Sequence, residues 1–150
     1  MPKKKKDIKI KDNSIKIPCI NCNPKKYLTF NFSYIVDKEA YPSNDEDIVK
    51  LWKRMLWMSE DTYLNMVYKF GNDKSKWFEP LPINQIRKDI PSKFREDFPT
   101  ETNEKYSVMR MYPSGTPNGT ANPRIIGMIK HNIFYAFFLD WDGKLYSHGK

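Results

Sequence analysis

The stretch RIIGMIKHNIFYAFFLDWDGKLY, residues 124–146, is the most apolar part of a polar, lysine-rich chain of 150 residues. Its segments 124–130 and 133–140 flank the pair His131-Asn132, and the pair Asp142-Gly143 follows. Short turns with Asn or Asp-Gly join antiparallel strands. Residues 133–139 are apolar on both faces of a strand, which is typical of a strand covered on both sides. The stretch therefore predicts an antiparallel meander around a central strand.

Two other segments alternate apolar and polar side chains with a period of two. They are YLTFNFSYIV, residues 27–36, and YSVMRMY, residues 106–112. In residues 27–36, every second side chain from Leu28 to Val36 is apolar or aromatic. This period is typical of a half-buried strand. We therefore expect one antiparallel sheet built from residues 27–36 and 106–146.

Between these segments the period becomes helical. SNDE, residues 43–46, has the form of a capping box, and an amphipathic stripe follows it at Ile48, Leu51, Trp52, Met55 and Leu56. A second stripe ends before Gly71 and comprises Tyr63, Met66, Val67 and Phe70. We expect helices at 46–58 and 60–70. The predicted fold class is α+β, an antiparallel β-sheet with two amphipathic helices packed on one face.

Four prolines divide residues 72–104 into short pieces. INQIRKDI indicates one or two helical turns, and SKFREDF indicates a short helix capped by Ser92. We expect this segment to pack through its apolar side chains, which are Trp77, Phe78, Ile83, Ile86, Phe94 and Phe98.

The net charge of +8 is distributed unevenly along the chain. Residues 1–30 carry +7, residues 31–104 carry −3, and residues 105–150 carry +4. We expect residues 1–26 to form a basic N-terminal arm with a hairpin in DIKIKDNSIKI, and residues 27–150 to form a single domain. Two basic regions around an acidic middle suit a polyanionic partner. The alternative is that the lysines are only solvated.

The sequence lacks the signals that mark several functional classes. No apolar run of the length of a secretion signal follows Lys3 to Lys6, and no segment approaches the roughly 20 apolar residues of a membrane span. We therefore expect a cytoplasmic protein that does not enter a membrane. Cys19 and Cys22 form at most half of a zinc site, so we expect two thiols, no metal and no cofactor. The sequence has no phosphate-binding glycine loop and no G-x-S-x-G or H-E-x-x-H motif.

The remaining chemistry lies in basic and aromatic residues. Arg110 and Tyr135 fall on strand faces that meet if the two strands are aligned. An arginine fork binds phosphate, aromatic rings stack on bases, and His or Tyr can move a proton. The predicted nucleic-acid contacts are Lys3, Lys4, Lys5, Lys6, Arg110, Lys130, His131 and Tyr135. The alternative is that the sheet residues serve packing.

The segment RIIGMIKHNIFYAFFLDWDGKLYSH, residues 124–148, resembles the C-terminal half of small bacterial toxins of the RelE/ParE superfamily. It also resembles the ends of uncharacterised bacterial and phage proteins. The resemblance to the toxins implies metal-independent, ribosome-assisted mRNA cleavage, in which the 2′-hydroxyl attacks the adjacent phosphate. It assigns phosphate binding to Arg124 or Arg110, and acid or base catalysis to Tyr146 or His148. The chain departs from the family in its greater length, its N-terminal strand and hairpin, and its acidic middle.

Three hypotheses follow. The first, which we favour, is a toxin-like or nucleic-acid-directed protein, an RNA-cleaving enzyme in its strongest form, with RNA or the ribosome as partner and an antitoxin as protein partner. The second is a non-enzymatic phage or mobile-element protein that inhibits or signals to a host macromolecule. The third is a nucleic-acid-binding accessory factor that uses the lysine arm.

Overall fold

The computed structural model describes residues 26–36, 45–62, 78–112 and 122–145. A five-stranded sheet lies at the centre, with the strand order β1-β5-β4-β3-β2. In chain order the elements are β1 (Thr29–Asn31), α1 (Asp45–Ser59), β2 (Phe78–Pro82), a 3-10 turn (Ile83–Gln85), α2 (Ser92–Asp97), β3 (Lys105–Arg110), β4 (Arg124–Lys130) and β5 (Ile133–Asp140).

The β4–β5 hairpin confirms the strands and turn predicted around His131-Asn132. Both turn residues have positive φ angles, 51° for His131 and 65° for Asn132. Such a turn matches the twist of the strands that it joins, and asparagine tolerates this conformation well. β5 lies between β1 and β4, and its side chains from Phe134 to Phe138 are buried. It is therefore an inner strand covered on both faces, as the sequence predicts, while β4 takes the middle of the sheet.

Two hydrophobic clusters lie on opposite faces of the sheet. The first cluster packs α2 and the residues before it against the sheet. Its buried members are Leu81, Ile86, Ile90, Phe94, Tyr106, Val108, Ile126, Met128, Tyr135, Phe137 and Phe138. The other holds the inner side of α1, and its buried members are Leu28, Met58, Met109, Ile125, Ile129, Phe134 and Ala136. Because α1 and α2 cover different faces, helical segments lie on both faces of the sheet and not on one.

The prediction of a purely antiparallel sheet is wrong. β1 runs parallel to β5, with Phe30 opposite Phe134, whereas the other strand pairs are antiparallel. The residues that separate β1 from β5 are numerous enough for a crossover, which a parallel pair requires. β2, from the segment that had no assigned strand, pairs with β3 at the opposite edge. Its Pro80 and Pro82 suit an edge strand, because proline cannot donate a ladder hydrogen bond.

Two predicted strands are shorter than expected. In residues 27–36 only Thr29–Asn31 is a strand, because the Asn31 side chain accepts a hydrogen bond from the Ser33 backbone N–H at 2.9 Å and starts a turn. After β5, the Asp140 carboxylate accepts bonds from the backbone N–H groups of Lys144 (2.9 Å) and Leu145 (3.2 Å). This carboxylate holds residues 140–145 in a turn, so residues 144 and 145 do not form the expected strand.

The bounds of α1 follow the sequence pattern, but its burial does not: Ile48, Trp52 and Leu56 of the predicted stripe are exposed. α1 extends the predicted span 46–58 by one residue at each end. The short helix predicted in SKFREDF is present as α2, but Pro91 and not Ser92 occupies its N-cap position. Of the predicted helix 60–70, the structure describes only residues 60–62, which are not helical, and Thr62 forms an isolated bridge with Tyr27. The rest of that helix, Ser43 of the capping box and the arm up to residue 25 lie outside the described residues.

Candidate nucleic-acid interface

A basic groove opens between the turn after β1 and the segment that leads into α2. Its volume is about 520 Å³. One wall is formed by residues 33–36, and the other by residues 87–89 and 91–93. Phe138 of β5 also lines the groove and is 3% exposed, so the groove lies over the hydrophobic core.

The wall at residues 33–36 is anchored to the sheet and to α2. The backbone N–H of Val36 donates to the carbonyl oxygen of Phe137 at 3.0 Å. The Tyr34 hydroxyl donates to the Asp97 carboxylate at 2.5 Å. The Tyr34 ring lies 5.3 Å from the Phe94 ring, edge to face. These contacts fix the wall without using the groove's cationic side chains.

The opposite wall is held mainly by its backbone. The N–H of Arg87 donates to the carbonyl oxygen of Leu145 at 3.0 Å. The carbonyl oxygen of Lys88 accepts a hydrogen bond from the Tyr106 hydroxyl at 2.8 Å. Since the main chain makes these contacts, the charged ends of both side chains stay available to solvent.

The groove is positively charged. Arg87, Lys88 and Lys93 line it and are exposed, while Asp89 is the only acidic residue among the lining residues. Within the described part of the chain, none of the three cations forms an ion pair. Lys88 and Lys93 instead lie 5.4 Å from the ring centroids of Phe138 and Tyr34, respectively. Such contacts orient the ammonium groups and leave their charge uncompensated.

The structure brings two predicted arginines together at one end of the sheet. Arg110 of β3 and Arg124 of β4 are direct cross-strand partners, and Arg124 also lies opposite Asp140 of β5. Nη2 of Arg110 lies 3.1 Å from Oε2 of Glu79. Arg124 is only 9% exposed. Glu79 therefore neutralises Arg110, and Arg124 is largely buried, so this end of the sheet exposes little positive charge.

Lys130 and His131 lie at the other end of β4, roughly 20 Å from Arg124 at the usual rise of a strand. Lys130 is buried, with its Nζ 3.0 Å from Oε1 of Glu101 and 3.3 Å from Oε1 of Glu104. His131 is exposed in the turn. The structure thus separates these two predicted contacts from the arginine pair.

Tyr135 does not meet Arg110, because it pairs with Met128, four residues along β4 from Arg124. Its ring is 6% exposed and packs against the aromatic side chains of Tyr34, Phe94 and Phe98. Burial raises the pKa of Tyr135. In this position the ring contributes to the core and offers no open face for a base.

The tyrosines near the groove stay protonated at neutral pH. The hydrogen bond to Asp97 raises the pKa of Tyr34 to about 12, and burial raises the pKa of Tyr106. Neither hydroxyl is therefore a general base near pH 7. The remaining predicted residues, which are Lys3, Lys4, Lys5, Lys6, Tyr146 and His148, lie outside the described residues.

Sequence reasoning missed Arg87, Lys88 and Lys93. The signal was the run IRKDIPSK, which places three cations within seven positions around a proline. The acidic balance of residues 31–104 as a whole concealed it. The net charge counted over a short window, such as residues 86–93, would have identified the cluster.

Two other findings concern the described residues. None of their helices is long and apolar enough to cross a membrane. They also contain no group of three or more His, Cys, Asp or Glu residues that could hold a metal ion. Comparisons with protein-family models, with curated proteins and with solved structures give no match to this chain.

Proposed function

We propose that the protein binds nucleic acid, RNA being the expected class, through the groove of Arg87, Lys88 and Lys93. The observation that carries the proposal is the set of three exposed cations with no ion-pair partner among the described residues. An arginine fork and two ammonium groups provide the charge-assisted hydrogen bonds that phosphate oxygens accept. Contacts to phosphate give affinity without base specificity.

The rigid walls support binding without a large rearrangement. Backbone bonds hold both Arg87 and Lys88, and the wall at residues 33–36 is tied to α2 through Tyr34. A pre-organised site loses less conformational entropy when the ligand arrives. The predicted lysine arm, Lys3 to Lys6, supplies a second and separate region of positive charge.

The test is the affinity of the full chain for a fluorescein-labelled 20-nucleotide RNA and for a DNA of the same sequence, measured by anisotropy. Replacing Arg87, Lys88 and Lys93 by glutamine should weaken RNA binding by about tenfold or more at moderate salt, because three phosphate contacts are lost. The matched control replaces Lys53, Lys105 and Lys144, which are exposed outside the groove, and removes the same charge.

The control variant should keep an affinity within about threefold of the wild type. Equal losses in both triple variants would show that only net charge matters and would refute the groove as the site. Deleting residues 1–11 tests the arm separately, because a salt-sensitive loss on deletion assigns part of the binding to the lysines there.

RNA cleavage is a second candidate function, more specific than binding. It is supported by the path of the chain, since Leu145, the residue before Tyr146, bonds to Arg87 at the groove wall. We propose Arg124 as the phosphate-binding residue, and Tyr146 or His148 as the acid or base. Expression in a bacterial host should then arrest growth, and His148→Ala should relieve the arrest. A purified protein that binds RNA and leaves it intact on ribosomes would reject cleavage and keep the binding function.

A further inference from the structure

α1 carries a second apolar surface that faces away from the sheet. This outer stripe consists of Ile48, Val49, Trp52 and Leu56, which are 45%, 50%, 59% and 45% exposed, respectively. The spacing of the four residues places them within about 100° of the helix circumference. A contiguous exposed apolar surface with a tryptophan at its centre is typical of a docking surface.

The sheet does not need this stripe for its own core. Met58 is buried against the sheet, and Leu51 and Met55 pack in the same cluster. Trp57, beside the stripe, is already engaged, because the Arg54 guanidinium lies 4.5 Å from its ring centroid. α1 thus has one apolar side for the sheet and another for a different occupant.

Acidic residues at both ends of the outer stripe indicate the charge of that occupant. Asp45 and Glu46 lie in the first turn and are exposed, Glu46 being paired with Lys50 at 2.6 Å, and Glu60 follows the last turn, which contains no basic residue. Two copies of α1 packed antiparallel would bring these acidic ends together. A second copy is therefore unfavourable, and a basic apolar segment is favourable.

We propose that the occupant is the chain's own N-terminal arm, residues 1–17. This segment contains seven lysines and two aspartates, a net charge of +5. Its predicted hairpin presents Ile8, Ile10, Ile15 and Ile17 as an apolar face. An isolated two-stranded hairpin is marginal in water, so this face needs a surface to cover it.

The arm joins the described structure close to the C-terminal end of α1. Tyr27 bridges Thr62, three residues beyond the end of α1. Residues 17 to 27 can span roughly 33 Å when extended, and a helix of this length measures roughly 22 Å. The isoleucines can therefore reach any part of the outer stripe.

This contact regulates how available the arm's lysines are to a polyanion, because it holds them against the acidic ends of α1. It does not depend on the groove, which lies on the side of α2. Releasing the arm frees its positive charge without altering the groove, so the oxidation of Trp52 tests this contact independently of RNA binding.

The test is hydroxyl-radical footprinting of the full chain, read by mass spectrometry at Trp52, with Phe98 on the opposite face of the sheet as the internal reference. The variant Ile8→Ser with Ile10→Ser keeps the charge and removes the apolar contact. Its Trp52 oxidation rate should rise by about threefold or more as the ring becomes exposed. The matched control, Ile8→Val with Ile10→Val, should leave the rate unchanged.

RNA affinity gives a second readout. The serine variant should bind RNA more tightly than the valine control, because its lysines are released. Equal Trp52 oxidation in the wild type and both variants would overturn the proposal, since either nothing covers the stripe or another segment, such as residues 63–77, does so. A dimer in sedimentation analysis that dissociates on Trp52→Ala would also overturn it.

Discussion

At the scale of single residues, Gly127 shows how one missing side chain shapes the sheet. A Cβ atom at this position would lie 2.0 Å from the carbonyl oxygen of Tyr135 and 3.1 Å from Cα of Ala136. The register shifts here, so that Ile126 pairs with Phe138 while Gly127 pairs with Ala136. Phe137 is the extra residue of a bulge, and such irregularities bend a strand locally. Only glycine allows this close backbone approach.

We expect Gly127→Ala to destabilise the protein by about 2–3 kcal/mol, because backbone and not a flexible side chain occupies the space. Urea unfolding followed by circular dichroism measures the loss. Thr29→Ala on exposed edge strand β1 is the control and should change stability by less than about 1 kcal/mol. An alanine variant as stable as the wild type would show that the bulge can shift.

Lys130 was predicted to contact nucleic acid from its sequence position, and its structural surroundings favour a different role. Its ammonium group lies between Glu101 and Glu104, and Glu104 also pairs with Arg95 of α2. The Glu104 side chain is only 4% exposed. Removing Lys130 would leave this buried carboxylate with less compensation, so the lysine contributes to the attachment of the 95–104 region to β4.

Lys130→Met should therefore lower the free energy of unfolding by about 3 kcal/mol, as expected when a buried ion pair loses one partner. Lys144→Met removes the same charge from an exposed pair with Asp142 and should cost less than about 1 kcal/mol. Denaturant titration of both variants makes the comparison. If Lys130→Met is as mild as Lys144→Met and also weakens RNA binding, the predicted contact role gains support.

At the scale of elements, α2 depends on tertiary packing. Six residues are too few for a helix to be stable alone in water. Phe94 is fully buried, and its ring lies 4.7 Å from the rings of both Phe98 and Phe137. The Tyr34–Asp97 hydrogen bond ties the end of α2 to the turn after β1. The Phe94 side chain thus positions α2, which borders the groove.

Replacing Phe94 by alanine should destabilise the fold by about 3–5 kcal/mol, because the cavity lies inside the aromatic cluster. Amide hydrogen exchange should rise first in residues 92–97, since these have few other buried contacts. Glu96→Ala changes an exposed position of the same helix and serves as the control. Uniform loss of protection across the sheet, without early exchange in α2, would contradict this order.

The elements differ in how far the sequence predicts them. α1 and the β4–β5 hairpin follow from periodicity and turn chemistry, because the residues that define them are neighbours in the chain. β2 could not be recognised, since two of its five residues are prolines and its pairing with β3 is non-local. The direction of β1 could not be recognised either, because a short alternating strand fits a parallel or an antiparallel partner equally well.

At the scale of the whole molecule, the distribution of charge matters more than its sum. The chain carries +8, yet Arg110 and Lys130 of the predicted basic sheet are paired with carboxylates, and Arg124 is largely buried. A cluster of three cations without an ion-pair partner among the described residues lies instead in the formally acidic middle, at the groove. A polyanion is attracted by exposed and uncompensated charge, so the groove is the stronger candidate.

The salt dependence of RNA binding should reveal this distribution. Replacing the three groove cations by glutamine should reduce the slope of log K against log salt by about 2, as expected for three phosphate contacts on a single strand. Replacing Arg110 by glutamine should change the slope little, because Glu79 already neutralises it. Anisotropy titrations between low and moderate salt measure both slopes, and a larger change for Arg110→Gln would move the site to the arginine pair.

The sequence by itself determined the α+β class, the inner and doubly covered position of residues 133–140, the turn at His131-Asn132 and the span of α1. Each of these follows from side-chain periodicity or turn preference within a short window, which is local physics. The tertiary structure alone decided the parallel pairing of β1, the placement of helices on both faces, the burial of Lys130 and the groove. These depend on which distant residues come into contact, and that is set by how the whole chain buries its apolar surface and pairs its charges.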